Sequence, residues 1–161
     1  MSETGDVTNL VRLLAALLTS RKLTLSSCES LTGGLFGATV CAVPGASDYY
    51  RGGVITYVDA VKEAVGVAPA TLAKFTAISG ECAREMALAA AKLTGSDVAV
   101  SFTGNAGPTA QDGKPVGEVW IGVAFKGQVR AVRYLFAGGR NAIRAACVAS
   151  GLRLLLAALA E

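Results

Sequence analysis

Cys28-Glu29-Ser30-Leu31-Thr32-Gly33-Gly34 is the stretch on which the fold turns. Leu23–Cys28 reads as a strand and Thr32–Val43 as a helix, which stops at Pro44-Gly45-Ala46-Ser47. The stretch is therefore a strand-to-helix junction, where unpaired backbone N–H groups point at whatever sits over the strand end. Gly33 and Gly34 allow an anion or a carbonyl oxygen to approach that backbone closely. The same geometry can supply a nucleophile, Ser30, together with an oxyanion hole. The residues differ from the G-x-S-x-G elbow of α/β-hydrolases. They also suit a plain turn with Ser or Thr as helix cap.

Working outward, Val7, Leu10, Val11, Leu14, Leu17 and Leu18 repeat at helical spacing. Gly53–Tyr57 is a short β-branched strand, after which Asp59 is expected to cap a helix carrying Lys62. Pro69 suits the first turn of a further helix, and Ser79 the N-cap of the alanine-rich Gly80–Leu93. Asp97–Thr103 reads as a buried strand and Gly104–Val116 as a long loop. Gly117–Phe125 and Val129–Phe136 flank Lys126-Gly127-Gln128 as a hairpin, and Asn141–Leu159 is a closing helix. This order predicts a single domain over 1–161, a three-layer α/β/α arrangement around a mixed sheet of about five strands.

Composition narrows the chemistry. Hydrophobic residues make up 52% of the 161 positions and charged residues 17%, the balance of an ordered chain able to bury a core without staples. The net charge of +3 comes from scattered residues, so no nucleic-acid surface is expected. The first ten residues have no basic segment leading into an apolar one. The runs Leu13–Leu18 and Leu154–Ala160 are too short to span a bilayer, so no membrane partner is expected. Cys28, Cys41, Cys82 and Cys147 form no C-x-x-C pair and read as buried free thiols of a cytoplasmic protein. Histidine is absent, which excludes Ser-His-Asp and Cys-His catalysis and H-E-x-x-H zinc chemistry. Proton transfer would then fall to Lys, Tyr, Asp, Glu or water. No metal and no cofactor are expected.

Three further segments carry candidate chemistry. Tyr57 and Lys62 sit where both can face one strand-end crevice, and a desolvated lysine can serve as a base. Taken alone, the pair reads more simply as a surface lysine beside a half-buried tyrosine. Thr103-Gly104-Asn105-Ala106-Gly107-Pro108 follows a buried strand, as phosphate- or ribose-cradling loops do, without being a P-loop. In Gly138-Gly139-Arg140-Asn141-Ala142-Ile143-Arg144 two arginines lie four apart at a helix start. Cations are unfavourable there unless they serve an anionic ligand.

Taken in order, C-E-S-L-T-G-G from Cys28, V-P-G-A-S from Val43, Y-V-D-A-V-K from Tyr57, A-I-S from Ala77, T-G-N-A-G-P from Thr103, K-P-V-G-E-V from Lys114 and G-G-R-N-A-I-R from Gly138 resemble the CinA (competence/damage-inducible) C-terminal family, known also as nicotinamide-nucleotide amidase. The match holds from about Leu23 to the C-terminus. The resemblance implies hydrolysis of the carboxamide of nicotinamide mononucleotide to nicotinate mononucleotide and ammonia. It implies Ser30 as nucleophile, Lys62 as general base and Tyr57 as a hydrogen-bonding or relay partner. Backbone N–H groups around Thr32, Gly33 and Gly34 would hold the oxyanion, and Thr103, Gly104, Asn105, Gly107 and Arg140 the ribose phosphate. The chain departs from the family pattern at Leu31, Val58, Asp59, Ala60, Val61, Asn105 and Gly139, which bears on the substrate pocket. A catalytically silent nucleotide-binding domain acting through oligomer contacts is the alternative. The partner expected is a small nucleotide, and the assembly a homo-oligomer.

Overall fold

A computed structural model describes residues 3–161, with side chains from Asp6 onward. Met1 and Ser2, part of the polar N-terminal stretch and of the predicted 1–161 domain, lie outside the described residues. The element order is α1 (Glu3–Ser20), β1 (Leu25–Glu29), α2 (Leu35–Cys41), a 3-10 turn (Ala46–Asp48), β2 (Tyr50–Ile55), α3 (Asp59–Val65), α4 (Pro69–Phe75), α5 (Gly80–Thr94), β3 (Val98–Gly104), β4 (Glu118–Phe125), β5 (Gln128–Leu135) and α6 (Arg140–Ala160). The five strands form one mixed sheet in the order β2-β1-β3-β4-β5. β1 is parallel to both β2 and β3, whereas β3–β4 and β4–β5 are antiparallel.

Each face of the sheet carries its own core. On one face Val11, Leu14 and Leu18 of α1, Phe36 and Val40 of α2 and Ile143, Leu152 and Leu155 of α6 pack on Leu25, Val100, Phe102 and Ile121. On the other, Cys82, Met86, Ala87 and Ala90 of α5 and Leu72 of α4 meet Cys28, Ala99 and Ala124. This is the predicted three-layer arrangement, and its central strands are buried on both faces, as parallel strands under helices are. β1 reaches that burial with small polar residues, which the fold satisfies: Ser26 Oγ lies 2.7 Å from Ser96 Oγ, and Ser27 Oγ 2.7 Å from the Tyr50 hydroxyl.

Local chemistry accounts for several boundaries. Ser79 caps α5, accepting from the Cys82 N–H at 3.2 Å, and Pro69 occupies the first turn of α4. The hairpin turn is the two residues Lys126 and Gly127, with φ of 51° and 74°, and Gln128 already belongs to β5. Both turn residues are left-handed, as a turn matching strand twist requires. Val58 rather than Asp59 precedes α3 as its cap, and Asp59 stands inside the first turn. α6 corrects the reading of short apolar runs: its 21 residues are long and apolar enough to cross a bilayer. The helix spends that hydrophobicity on the sheet, burying Ile143, Cys147, Val148, Leu152, Leu155 and Leu159.

Candidate active site

The carboxyl ends of the three parallel strands point to one edge of the sheet, and the chain leaves β1 and β2 for opposite faces there. That crevice is where open α/β sheets bind ligands. It holds a cavity of about 360 Å³ bounded by Ser30, Leu31, Tyr57, Asp59, Lys62 and Arg140, by Ala77 and Ile78, and by the 103–111 segment.

Ser30 follows β1 directly. Its N–H continues the ladder to the Phe102 carbonyl at 2.9 Å, while its own carbonyl accepts from the Gly33 N–H at 3.0 Å. Residues 30–34 thus form a turn, and α2 begins at Leu35, three residues later than the sequence suggests. Glu29, to which sequence reasoning gave no role, explains the delay. Its buried carboxylate accepts from the N–H groups of Gly34 (3.0 Å), Phe36 (3.1 Å) and Gly37 (3.0 Å), occupying the helix N-terminus. Gly34 has φ of 99°, a conformation that a side chain would strain. A carboxylate just before a Gly-Gly helix start was the available signal.

The expected oxyanion donors shift accordingly. Gly34 N–H is taken by Glu29 and Gly33 N–H by Ser30, so neither is free. Among the described residues, the N–H groups of Leu31 and Thr32 donate to no protein acceptor, and Leu31 lines the cavity. Thr32 is wholly buried, and its Oγ1 has no partner. Arg144, considered beside Arg140 for an anion, instead binds this turn, with Nε 3.0 Å from the Leu31 carbonyl and Nη2 2.9 Å from that of Thr32.

Lys62 is brought in by α3. It is 1% exposed, and its Nζ lies 3.1 Å from Ser30 Oγ, 2.8 Å from the Thr56 carbonyl and 3.3 Å from the Tyr57 carbonyl. Its three donor positions are met by the Ser30 hydroxyl oxygen and the two carbonyls, which fix the amine against Ser30. Asp59 Oδ1 is 3.8 Å from Nζ. Tyr57 enters this cluster through its backbone. Its ring is 55% exposed, and its hydroxyl accepts from Arg140 rather than meeting Ser30 or Lys62. Tyr57 also falls beyond β2, not at its end.

The far wall is the 103–117 segment. Thr103 Oγ1 donates to the Ala77 carbonyl at 2.6 Å. Asn105 is spent on the loop itself: its Nδ2 donates to the carbonyls of Thr109 (2.9 Å) and Lys114 (3.3 Å), and its Oδ1 accepts from the Gly107 N–H (2.8 Å). Asn105 thus lines the cavity with its side chain hydrogen-bonded within the loop. Gly104 and Gly107 line the cavity, as does Arg140, whose Nη1 donates to the Gly107 carbonyl at 2.6 Å. Thr32, Gly33 and Gly34 do not line the cavity: Thr32 is buried and Gly33 exposed. Among the described residues no three His, Cys, Asp or Glu side chains come together as a metal site would require.

Comparison with known proteins shows the family. Residues 7–159 match the model of the CinA C-terminal domain. The chain is 45% identical, over 94% of its length, to a putative competence-damage inducible protein of Bacillus velezensis, and 43% identical, over 97%, to one of Bacillus subtilis. It spans only 36% and 38% of those two relatives. Among solved structures, the competence damage-inducible protein A of Klebsiella pneumoniae superposes with a TM-score of 0.94 at 36% identity, covering 96% of this chain and 98% of that one. A CinA superfamily protein of Escherichia coli gives 0.92 at 32% identity, with 97% and 92% covered. With the family model matching residues 7–159 and these relatives covering nearly the whole chain, the chain belongs to the CinA C-terminal domain family.

Proposed function

We propose that this chain is a serine amidohydrolase that deamidates nicotinamide mononucleotide to nicotinate mononucleotide and ammonia. One observation carries the reading: the 3.1 Å contact of Lys62 Nζ with Ser30 Oγ at the buried end of a cavity, in a chain without histidine. Ser30 Oγ attacks the carboxamide carbon while the neutral Lys62 amine takes its proton. The Leu31 N–H, which donates to no protein acceptor and belongs to a residue lining the cavity, is the donor for the oxyanion of the tetrahedral intermediate. Lys62 returns the proton to the amide nitrogen, the C–N bond breaks and ammonia leaves. Water, deprotonated by the same amine, then cleaves the acyl-Ser30 ester to the carboxylate, and the proton passes back to Ser30 Oγ. Arg140, with N–H groups beyond those used by Gly107 and Tyr57, is placed to take the phosphate. No step calls for a metal or an organic cofactor.

The test is ammonia release from nicotinamide mononucleotide by the purified chain, alongside free nicotinamide and nicotinamide riboside. Release that is fastest with the mononucleotide supports the reading. Tight binding without ammonia would make the chain a silent nucleotide-binding domain instead.

A further inference from the structure

Three charged side chains line the cavity, and they differ in sign and depth: Lys62 at the buried end, Arg140 at the start of α6, and Asp59 in the first turn of α3. The Asp59 carboxylate is 61% exposed, a rim group facing an arriving ligand. Its Oδ1 is 3.8 Å from Lys62 Nζ, longer than the three hydrogen bonds that fix the lysine. While Lys62 is an ammonium, Asp59 has a counter-charge. Lys62 accepts the Ser30 proton only as the neutral amine, and in that state Asp59 is the uncompensated charge beside the reacting atoms. A ligand seated on Ser30 restores the balance if it brings a positive charge to this side and a negative one to Arg140.

Resting on the amidohydrolase reading, we propose that Asp59 determines specificity by reading a positive charge on the ring that bears the carboxamide. The site would take N-substituted pyridinium carboxamides and discriminate against neutral-ring carboxamides of the same shape. In a pyridine-3-carboxamide the ring nitrogen is only a few bonds from the amide carbon, so a substrate positioned for attack holds its cation close to the carboxylate that approaches Lys62. An attraction over such a distance, screened because Asp59 is exposed, is expected to change affinity by up to about fivefold.

The experiment titrates nicotinamide mononucleotide and its 1,4-dihydro form into the full chain and into Asp59→Asn by calorimetry, with ammonia release followed in parallel. The two ligands share the ribose phosphate and the carboxamide, and only the first has a charged ring. The expected result is that Asp59→Asn weakens the charged ligand about fivefold and leaves the neutral one unchanged within about 1.5-fold. Equal weakening of both, or no weakening of either, would overturn the proposal and leave Asp59 as a partner of Lys62 alone. Failure of the unsubstituted chain to bind either ligand would overturn both this and the proposed function. Charge-dependent binding without ammonia release would uphold Asp59 as the charge reader while removing the amidohydrolase reading.

Discussion

Arg140 Nη2 donates to the Tyr57 hydroxyl at 2.8 Å, joining the start of α6 to the segment between β2 and α3 across the cavity. With Nη1 on the Gly107 carbonyl, the guanidinium is oriented from two sides, and its other N–H groups remain for an anion. Arg140→Ala is therefore expected to weaken mononucleotide binding by roughly ten- to a hundred-fold, with little effect on the riboside that lacks the phosphate. Calorimetric titration of both ligands decides it. Equal weakening would place the phosphate elsewhere, with Lys114 the next candidate, since Arg144 is committed to the Leu31 and Thr32 carbonyls.

Glu29 supports the nucleophile turn. Glu29→Ala strands three N–H groups at the start of α2, and the expected loss of stability is about 3 kcal/mol, read from denaturant unfolding. Glu29→Gln should lose less stability, because an amide oxygen can still accept. A variant as stable as the parent would mean that the turn is held by Arg144 alone.

Thr32 Oγ1 is buried without a partner and does not line the cavity. Thr32→Val keeps the shape and removes the unsatisfied hydroxyl. Stability should stay level or rise by up to about 1 kcal/mol, with affinity for the mononucleotide unchanged. A marked fall in affinity in the same titration would give the hydroxyl a ligand role.

Burial pushes the thiol of Cys28 up to about 11 and those of Cys82 and Cys147 up to about 12, whereas Cys41 is exposed. At pH 8 a disulfide reagent should release one fast equivalent per chain and three more on unfolding. The native state favours the protonated thiols, so their contribution to stability is complete below the ordinary value of 9.0 and falls as pH rises towards the folded values. Alkaline unfolding above pH 9 should accordingly be delayed when Cys147 is replaced by Ala, measured relative to that variant's own stability at pH 7.

Much of this arrangement was legible in the sequence because its signals are local. The β-branched run at Val54–Thr56, Pro69 opening α4, Ser79 capping α5 and the Lys126-Gly127 turn each act over a few residues. The pairing of Ser30 with Lys62 came from the family resemblance; the residues alone placed Ser30 at a strand end and Lys62 near a strand-end crevice without joining them. What stayed hidden depends on partners far along the chain. Nothing near Tyr57 indicates that its hydroxyl belongs to Arg140, 83 positions away, and nothing near Arg144 points to Leu31, 113 positions away. The start of α2 was misplaced because a carboxylate lying before the turn, rather than a side chain at the cap position, satisfies the helix N-terminus. The loop hydrogen bonds of Asn105 were not legible because its side-chain partners, Thr109, Lys114 and Gly107, meet it only once the loop closes on itself.

The central claim is that Ser30, activated by Lys62, is the nucleophile of an amide hydrolysis. The most direct measurement is the rate of ammonia release from nicotinamide mononucleotide by the parent chain and by Ser30→Ala, with binding of the mononucleotide followed on the same preparations. The account predicts turnover by the parent, a loss of at least about a thousandfold in the variant, and affinity retained within a few-fold. Turnover by Ser30→Ala within about tenfold of the parent, or a parent that binds the mononucleotide and releases no ammonia, would contradict it.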